Sequence, residues 1–438
     1  MSSARAIQTL TGAEPQEVRP LCWSFLYFFC LLCGYYILRP VRDEMAIEGG
    51  VQHLPWMMTA TFATLLVATP VFGYVSARVP RDRLLLAVYG FFASHLVGFF
   101  LLMSSHVVPH WIARVFFVWL SVFNLSVVSV FWSFMADIFR PDQGTRLFSI
   151  IAAGGSTGAM VGPLLTTALT YLMPIPGLML VSAALLGVCW LCIRALDRWS
   201  RQQPGRELER RGDAVGGSMW AGMRLALSSP YLLGICAYLF LLTTSATFLY
   251  LEQTRLVGEE IASPQGRTRL FAIVDLAVNV LTFLTQLFMT GPMIARFGFA
   301  SALIFLPAAS VIGFAVIGLI PVLLSFILFT IVRRVSEYAI AKPAREVLFT
   351  VVGREEKYKA KNFIDTAVSR GGDAATGWIV NGVKAVGIGM THIAWALVPL
   401  ACAWAWLGWV LARHEERKRL ERSPSGSERV YCPKIDVV

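Results

Sequence analysis

Tyr35-Tyr36-Ile37-Leu38-Arg39-Pro40-Val41-Arg42-Asp43-Glu44 closes an apolar run, residues 21–38, that holds no charged side chain. Such a run is long enough to enter a bilayer as a helix. Two guanidiniums and two carboxylates then fall within six residues. Arg39, Arg42 and Asp43 stand at i, i+3 and i+4, so they share one face if the helix continues past Leu38. Charge at the rim of a membrane segment is costly unless it meets water, a partner or a bundle interior. Two readings follow: a solvated loop beyond the helix, or a charged helical face lining a polar cavity. The rest of the chain bears on the choice.

Of the 438 residues, 56% are hydrophobic and 15% charged, and mean hydropathy is +0.63. Soluble domains carry about a quarter charged residues. Apolar runs of membrane-spanning length recur along the whole sequence, at 22–38 (to 44 if the first helix runs on), 56–77, 84–104, 111–136, 147–171, 177–196, 230–250, 270–290, 301–320, 322–341, 363–388 and 393–412. The expected fold is therefore all-α: a polytopic membrane protein of twelve transmembrane helices. Residues 1–20 contain Glu14 and Glu17 and lack the regions of a signal peptide, so they read as a cytoplasmic lead. Cys30-x-x-Cys33 and Cys189-x-x-Cys192 lie inside apolar runs without a nearby histidine or carboxylate. They read as buried small hydrophobes, not as a metal or redox site.

The basic residues orient the chain. With the N-terminus inside, 31 of the 38 Lys and Arg fall in inner segments and 7 in outer ones. This bias orients the chain with both termini in the cytoplasm; the expected location is the inner, or plasma, membrane. The net charge of +11 is then a surface facing anionic lipid, not nucleic acid.

The polar stretch 197–217 falls after the sixth run and divides the chain into a lead (1–20), a six-helix bundle (21–196), a cytoplasmic linker (197–229), a second six-helix bundle (230–412) and a basic tail (413–438). A repeat supports the division. Gly73-Tyr-Val-Ser-Ala-Arg78 follows the second run and Gly291-Pro-Met-Ile-Ala-Arg296 follows the eighth, 218 residues on. Six plus six helices, a central loop and this repeat resemble the major facilitator superfamily, whose second-to-third loop motif Gly73, Arg78, Asp82 and Arg83 approximate. The resemblance implies two bundles rocking about a midplane binding site.

Ionisable and amide groups inside helices are the functional candidates. Asp275 and Asn279 lie one turn apart in the eighth run, with Gln286 further along it. Glu252 and Gln253 close the seventh run. Glu337, Lys342, Arg345 and Glu346 crowd the end of the tenth. Asp365, Arg370, Asp373, Asn381 and Lys384 run through the eleventh, which also holds Gly371, Gly372, Gly377 and Gly382. A segment so polar and glycine-rich is expected to line a cavity or pack closely on a neighbour. Residues 354–361 read as a solvated loop.

From Tyr338 to Asp373 the chain reads Y-x-x-x-K-P-A-R-E-V, then R-E-E-K-Y-K-A-K, then F-I-D-T-A-V-S-R-G-G-D. This resembles the ATP/ADP translocase, or nucleotide transporter, family of plastids and intracellular bacteria. Ile37-Leu38-Arg39-Pro40-Val41-Arg42-Asp43 is similar to that family's I-L-R-D-T-K-D. Leu251-Glu252-Gln253-Thr254-Arg255 is similar to its V-E-V-T-W-K, and Phe131-Trp132-Ser133-Phe134-Met135-Ala136-Asp137 to its tryptophan-containing fourth helix. The resemblance implies counter-exchange of nucleotides. At matched positions Pro40 stands for Asp, Arg42 for Lys, Lys342 for Asp and Arg345 for Lys. Arginine adds a fork suited to bidentate phosphate contact.

The expected transporter carries a small, phosphorylated anion as a monomer among membrane lipids. Arg39, Arg42, Lys342, Arg345 and Arg370 would pair with substrate phosphates. Glu252 and Glu346 would hold those cations apart in the empty state, with Asp43, Asp275 and Asn279 also balancing charge or gating. No phosphate-cradling G-x-x-x-x-G-K-[ST] loop and no metal-ligand cluster stands in the sequence, so no catalytic residue, metal or cofactor is expected. The rivals are a proton-coupled carrier of another anionic or lipid-like solute, with Asp275 or Glu252 titrating, and a non-transporting anchoring or sensing module.

Overall fold

The computed structural model describes residues 14–79, 81–105, 109–202, 219–352, 360–361 and 363–422. Among them every regular element is helical. The side chains of Asp82 and Arg83, most of the stretch 197–217, residues 353–359 and the tail beyond 422 lie outside the described residues.

The first helix, α1 (Val18–Glu48), does not end with its apolar run. Its 31 residues, at about 1.5 Å each, make a rod of about 46 Å, longer than the ~30 Å hydrocarbon core. Pro40 lies inside it. Proline removes one backbone hydrogen bond, but Val41, Asp43, Glu44, Met45 and Ala46 are all buried after it, and that packing carries the helix through. The stretch 39–44 is thus a helical face, and the solvated-loop reading is set aside. The chain turns at Gly50, whose φ of 91° suits a residue without Cβ.

After α1 come α2 (Leu54–Arg78), α3 (Arg81–Ser105), α4 (Pro109–Ile138), α5 (Pro141–Leu172) and α6 (Gly177–Arg201). A short helix, α7 (Met219–Ser228), falls in the stretch expected to be linker. Then follow α8 (Pro230–Glu260), α9 (Pro264–Thr285), α10 (Gly291–Phe297), α11 (Phe299–Leu319), α12 (Leu323–Ser336), α13 (Lys342–Leu348), α14 (Ser369–Ala385) and α15 (Met390–Arg422). Helix α8 runs ten residues past the expected end at 250, so Glu252 and Gln253 stand inside it rather than closing it.

Ten helices among the described residues are long and apolar enough to cross a membrane. The two other expected spans, 322–341 and 363–388, are helical but do not reach that measure. The first is broken by a π turn, Glu337–Ala341, and carries Arg333 and Arg334. The second begins with a π turn, Ile364–Val368, and carries Arg370, Asp373 and Lys384. A third π turn, Gln286–Thr290, joins α9 to α10.

The chain forms two compact units. The first takes the described residues of Met1–Val51, Ala63–Val215 and Ile261–Leu276. The second takes those of Gln52–Phe62, Gly216–Glu260 and Ala277–Val438. Helices α2 and α9 therefore each contribute residues to both.

In the first unit α1 packs against α4, α5 and α6. Its contact with α5 rests on Gly154, Gly158 and Gly162, four residues apart. A Cβ on Gly158 would lie 2.4 Å from the Phe29 carbonyl oxygen, and one on Gly154 2.6 Å from that of Phe25. Only glycine lets the two backbones approach so closely. Beside this seam Phe28 stacks on Phe131 at 4.2 Å, and Trp132 meets Phe28 edge-on at 5.4 Å. The matched fourth-helix segment is thus part of the core. Cys30, Cys33, Cys189 and Cys192 are buried in the same core.

In the second unit α8 packs on α12, α14 and α15, and α11 on α15. Close packing accounts for two of the glycines of α14. Gly372 faces the Thr243 hydroxyl, 2.4 Å from where a Cβ would stand, and Gly377 faces Pro55 at 3.4 Å.

Candidate charged sites and the family

In the first unit the helical continuation of α1 turns the opening stretch into a row of ion pairs. Arg39 donates to Asp275 on α9 at 2.9 Å, with 15% and 2% of the two side chains exposed. Arg42 reaches Asp43 Oδ1 through both Nε at 3.2 Å and a terminal nitrogen at 2.8 Å. Its guanidinium also lies 5.2 Å from the Phe117 ring centroid. Glu44, wholly buried, pairs with Arg267 at 2.9 Å. From 39 to 44 along α1, the partner on α9 recedes from 275 to 267, as antiparallel helices require. Arg269 completes this face of α9: its guanidinium lies 3.3 Å from the Tyr171 ring.

These pairs explain how charge is tolerated here. An isolated buried charge costs several kcal/mol, and a well-placed opposite charge offsets much of it. Arg39, Arg42, Asp43 and Asp275, all candidates in the sequence, are brought together in one unit as two pairs. Glu44 and Arg267 were not singled out. Glu44 stood in the opening stretch, but Arg267 read as an outer-loop charge before the first apolar turn of α9, and nothing local joins them.

In the second unit the carboxylates take partners other than those expected. Glu252, fully buried, is held by Arg255 at 3.0 Å and by Lys384. Arg255 also grips Glu259 at 2.7 Å. Glu346 pairs with Lys361. The assigned cations Arg345 and Arg370 are balanced instead by Asp365 at 3.1 Å and Asp373 at 3.5 Å. Thr247 donates to Asp373 at 2.9 Å, fixing the second carboxylate from α8. Lys342 is exposed at the head of α13. Gln253 accepts a hydrogen bond from Thr330 at 2.8 Å. Asn279 lies on α9 one turn past Asp275 but on the side of the division that belongs to the second unit. The five assigned cations are thus shared between the units: Arg39 and Arg42 in the first, Lys342, Arg345 and Arg370 in the second.

A long helical membrane chain with paired charges inside its helices fits one large class of carriers, and the family model described as Major Facilitator Superfamily matches residues 24–331. The chain belongs to the Major Facilitator Superfamily. It is a multi-pass membrane transporter of that type, which sets aside the non-transporting module and any enzyme. The superfamily's solved members resemble it over nearly their whole length. A bacterial homologue of the iron transporter ferroportin in an inward-facing state superposes with a TM-score of 0.64 at 11% identity, covering 91% of this chain and 98% of that one. A bacterial homologue of the human lysosomal transporter Spinster gives 0.61 at 13%, covering 94% and 100%. The nucleoside transporter NupG gives 0.59 at 12%, covering 92% and 99%. At these identities the likeness is one of fold. By sequence the chain is similar to ADP,ATP carrier protein 1 of Chlamydia trachomatis serovar D and of Chlamydia muridarum. Each is 19% identical, over 84% of this chain and 83% of the carrier.

Proposed function

We propose that this superfamily transporter exchanges nucleotides or related phosphorylated anions across the plasma membrane, with both termini in the cytoplasm. The observation that carries the reading is the state of Arg39 and Arg42: two guanidiniums on one face of α1, each already partnered by a carboxylate. A phosphate presents the same oxygen geometry to an arginine fork as a carboxylate does. Substrate phosphates therefore replace Asp275 and Asp43 as partners, and the carboxylates retake the arginines when substrate leaves. Arg345 and Arg370 behave alike toward Asp365 and Asp373 in the second unit, while exposed Lys342 offers a first charge. The similarity to ADP,ATP carrier proteins supports a nucleotide over other phosphorylated anions. The chain also departs from that family's pattern at Pro40, one charge more positive, and at Lys342, two charges more positive, which favours a highly charged anion.

The rival reading is proton coupling. Asp275 is 1% exposed and bound to Arg39, and protonating it would release the arginine as a phosphate would. The two readings separate in liposomes. Purified transporter is reconstituted and loaded with labelled ATP. Exchange requires slow efflux into substrate-free buffer and fast efflux once external ADP is added. Fast efflux that ADP does not accelerate, or efflux driven by an imposed proton gradient, overturns exchange and favours proton coupling.

A further inference from the structure

The first unit holds a cavity of about 480 Å³ between the ends of α1, α3 and α4, the turn before α6 and the start of α9. Small-molecule sites span roughly 300–1,000 Å³. The wall is mainly apolar: Met45, Met103, Ile112 and Ile175 line it together with four prolines of the surrounding turns. Among the described lining residues the only charged ones are Glu44 and Glu48, one turn apart on α1 and so on one face of it. None of the five cations assigned to the transported anion borders this space.

The two carboxylates are differently committed. Glu44 lies deeper along α1 and is wholly buried. Arg267, which is not part of the wall, pairs with its Oε1 at 2.9 Å. Its Oε2 has no hydrogen-bond partner among the described residues, and a buried acceptor left so is costly. Glu48 has 33% of its side chain exposed. His110 donates from Nδ1 to the Glu48 carbonyl oxygen at 2.5 Å and stands 3.8 Å from the carboxylate. Arg114 donates to the Gly49 carbonyl at 2.8 Å. The neighbouring cations thus answer Glu44 Oε1 and the backbone at the end of α1, and Glu48 gives the cavity its net negative charge.

We propose that this cavity binds an apolar organic monocation, held by Glu48 with Glu44 beneath it, at a site separate from that of the transported anion. Each other class of ligand fits less well. An anion meets only like charge. A metal ion needs about six oxygen ligands, and few stand in this wall. A neutral apolar molecule leaves both carboxylates unanswered. A cation whose charge is spread over a carbon body gives up little hydration, buries apolar surface against the prolines and methionines, and sets positive charge beside Glu48. A zwitterionic lipid carries a phosphate close to its ammonium, which the same carboxylates repel, so the geometry favours a free cation. The proposal does not rest on the nucleotide reading.

Tetraphenylphosphonium and tetraphenylborate share one shape and carry opposite charge, so they isolate the sign of the site. Purified transporter in a non-ionic detergent is titrated with each by equilibrium dialysis against protein-free micelles. The phosphonium should bind saturably and the borate should not. Glu48→Gln should weaken phosphonium binding several-fold, and Glu48→Asp by less. Leu102 lines the cavity and is exposed, so Leu102→Trp fills space without disturbing the core and should also weaken binding. Equal binding of the two ions overturns the proposal, as does phosphonium binding unchanged in both Glu48→Gln and Leu102→Trp. Saturating ADP should leave phosphonium affinity unmoved, and competitive displacement by ADP would merge the cavity with the transport site and overturn its separateness. Displacement by added phosphatidylethanolamine would give the cavity to lipid and overturn the assignment to a free cation. The readout is binding, so a protein that carries no nucleotide fails the exchange reading and leaves this result untouched.

Discussion

Arg39 of α1 and Asp275 of α9 form an ion pair at 2.9 Å, buried on the carboxylate side and nearly so on the other. The neighbouring pair, Glu44 with Arg267, has its signs reversed along the same two helices. Two opposed pairs on one antiparallel contact fix register as well as compensate charge, because sliding either helix breaks both pairs at once.

Removing one member of such a pair leaves the other charge buried, and this costs about 3–5 kcal/mol. Asp275→Asn should therefore lower the thermal unfolding temperature of the detergent-solubilised protein. Arg39→Met combined with Asp275→Leu should recover most of the loss, since no lone charge remains. A double-mutant cycle in which the two single changes simply add would show that the pair is not coupled.

Arg42 tests the fork. Arg42→Lys keeps the charge and loses the planar donors, whereas Arg42→Gln loses both. If this residue grips phosphate, affinity for the nucleotide should fall by about 2–5 kcal/mol in the Gln variant and by less in the Lys variant. Isothermal titration with ADP measures it, and equal, negligible losses would return Arg42 to a purely structural pairing with Asp43.

The glycine seam is testable without any substrate. At Gly158 a methyl group would meet the Phe29 carbonyl oxygen at 2.4 Å, while at Gly98 it would meet nothing within 4 Å. Gly158→Ala should force α1 and α5 apart and cost about 1–3 kcal/mol, as overpacking does. Gly98→Ala should stabilise by about 0.5–1 kcal/mol through its smaller loss of chain entropy. Unfolding curves of the two variants in one detergent compare them, and equal shifts would mean that the seam yields.

The 31-to-7 distribution of Lys and Arg predicts an orientation with both termini in the cytoplasm. Single cysteines at Ser200 and Ser425 should resist impermeant maleimides in intact cells and react after permeabilisation. Labelling of either from outside would invert the topology.

Fold class was legible in the sequence because the bilayer imposes it. A hydrocarbon slab admits helices of a given length and sets a positive-inside bias, and both are properties of composition along the chain. The charges of Arg39, Arg42, Asp43 and Asp275 stood out for a related reason, since polar groups are conspicuous in apolar runs, and the structure joins them as two ion pairs. Partners were not legible. Glu252 is joined to Lys384, Glu346 to Lys361 and Arg345 to Asp365, across separations that no period encodes. Whether 39–44 was loop or helix was also undecided locally, because Pro40 argues for a break and only the burial of Val41 and of residues 43–46 overrides it. Two of the three π turns carry a mark in the sequence, Pro292 and Pro343 two residues past their ends, each removing an N–H from the helix ladder, but nothing local shows that Gln286 and Thr290 donate to the carbonyls of Tyr338 and Ala339. The medium wrote the spans into the sequence. Pairing in three dimensions decided which charge answers which.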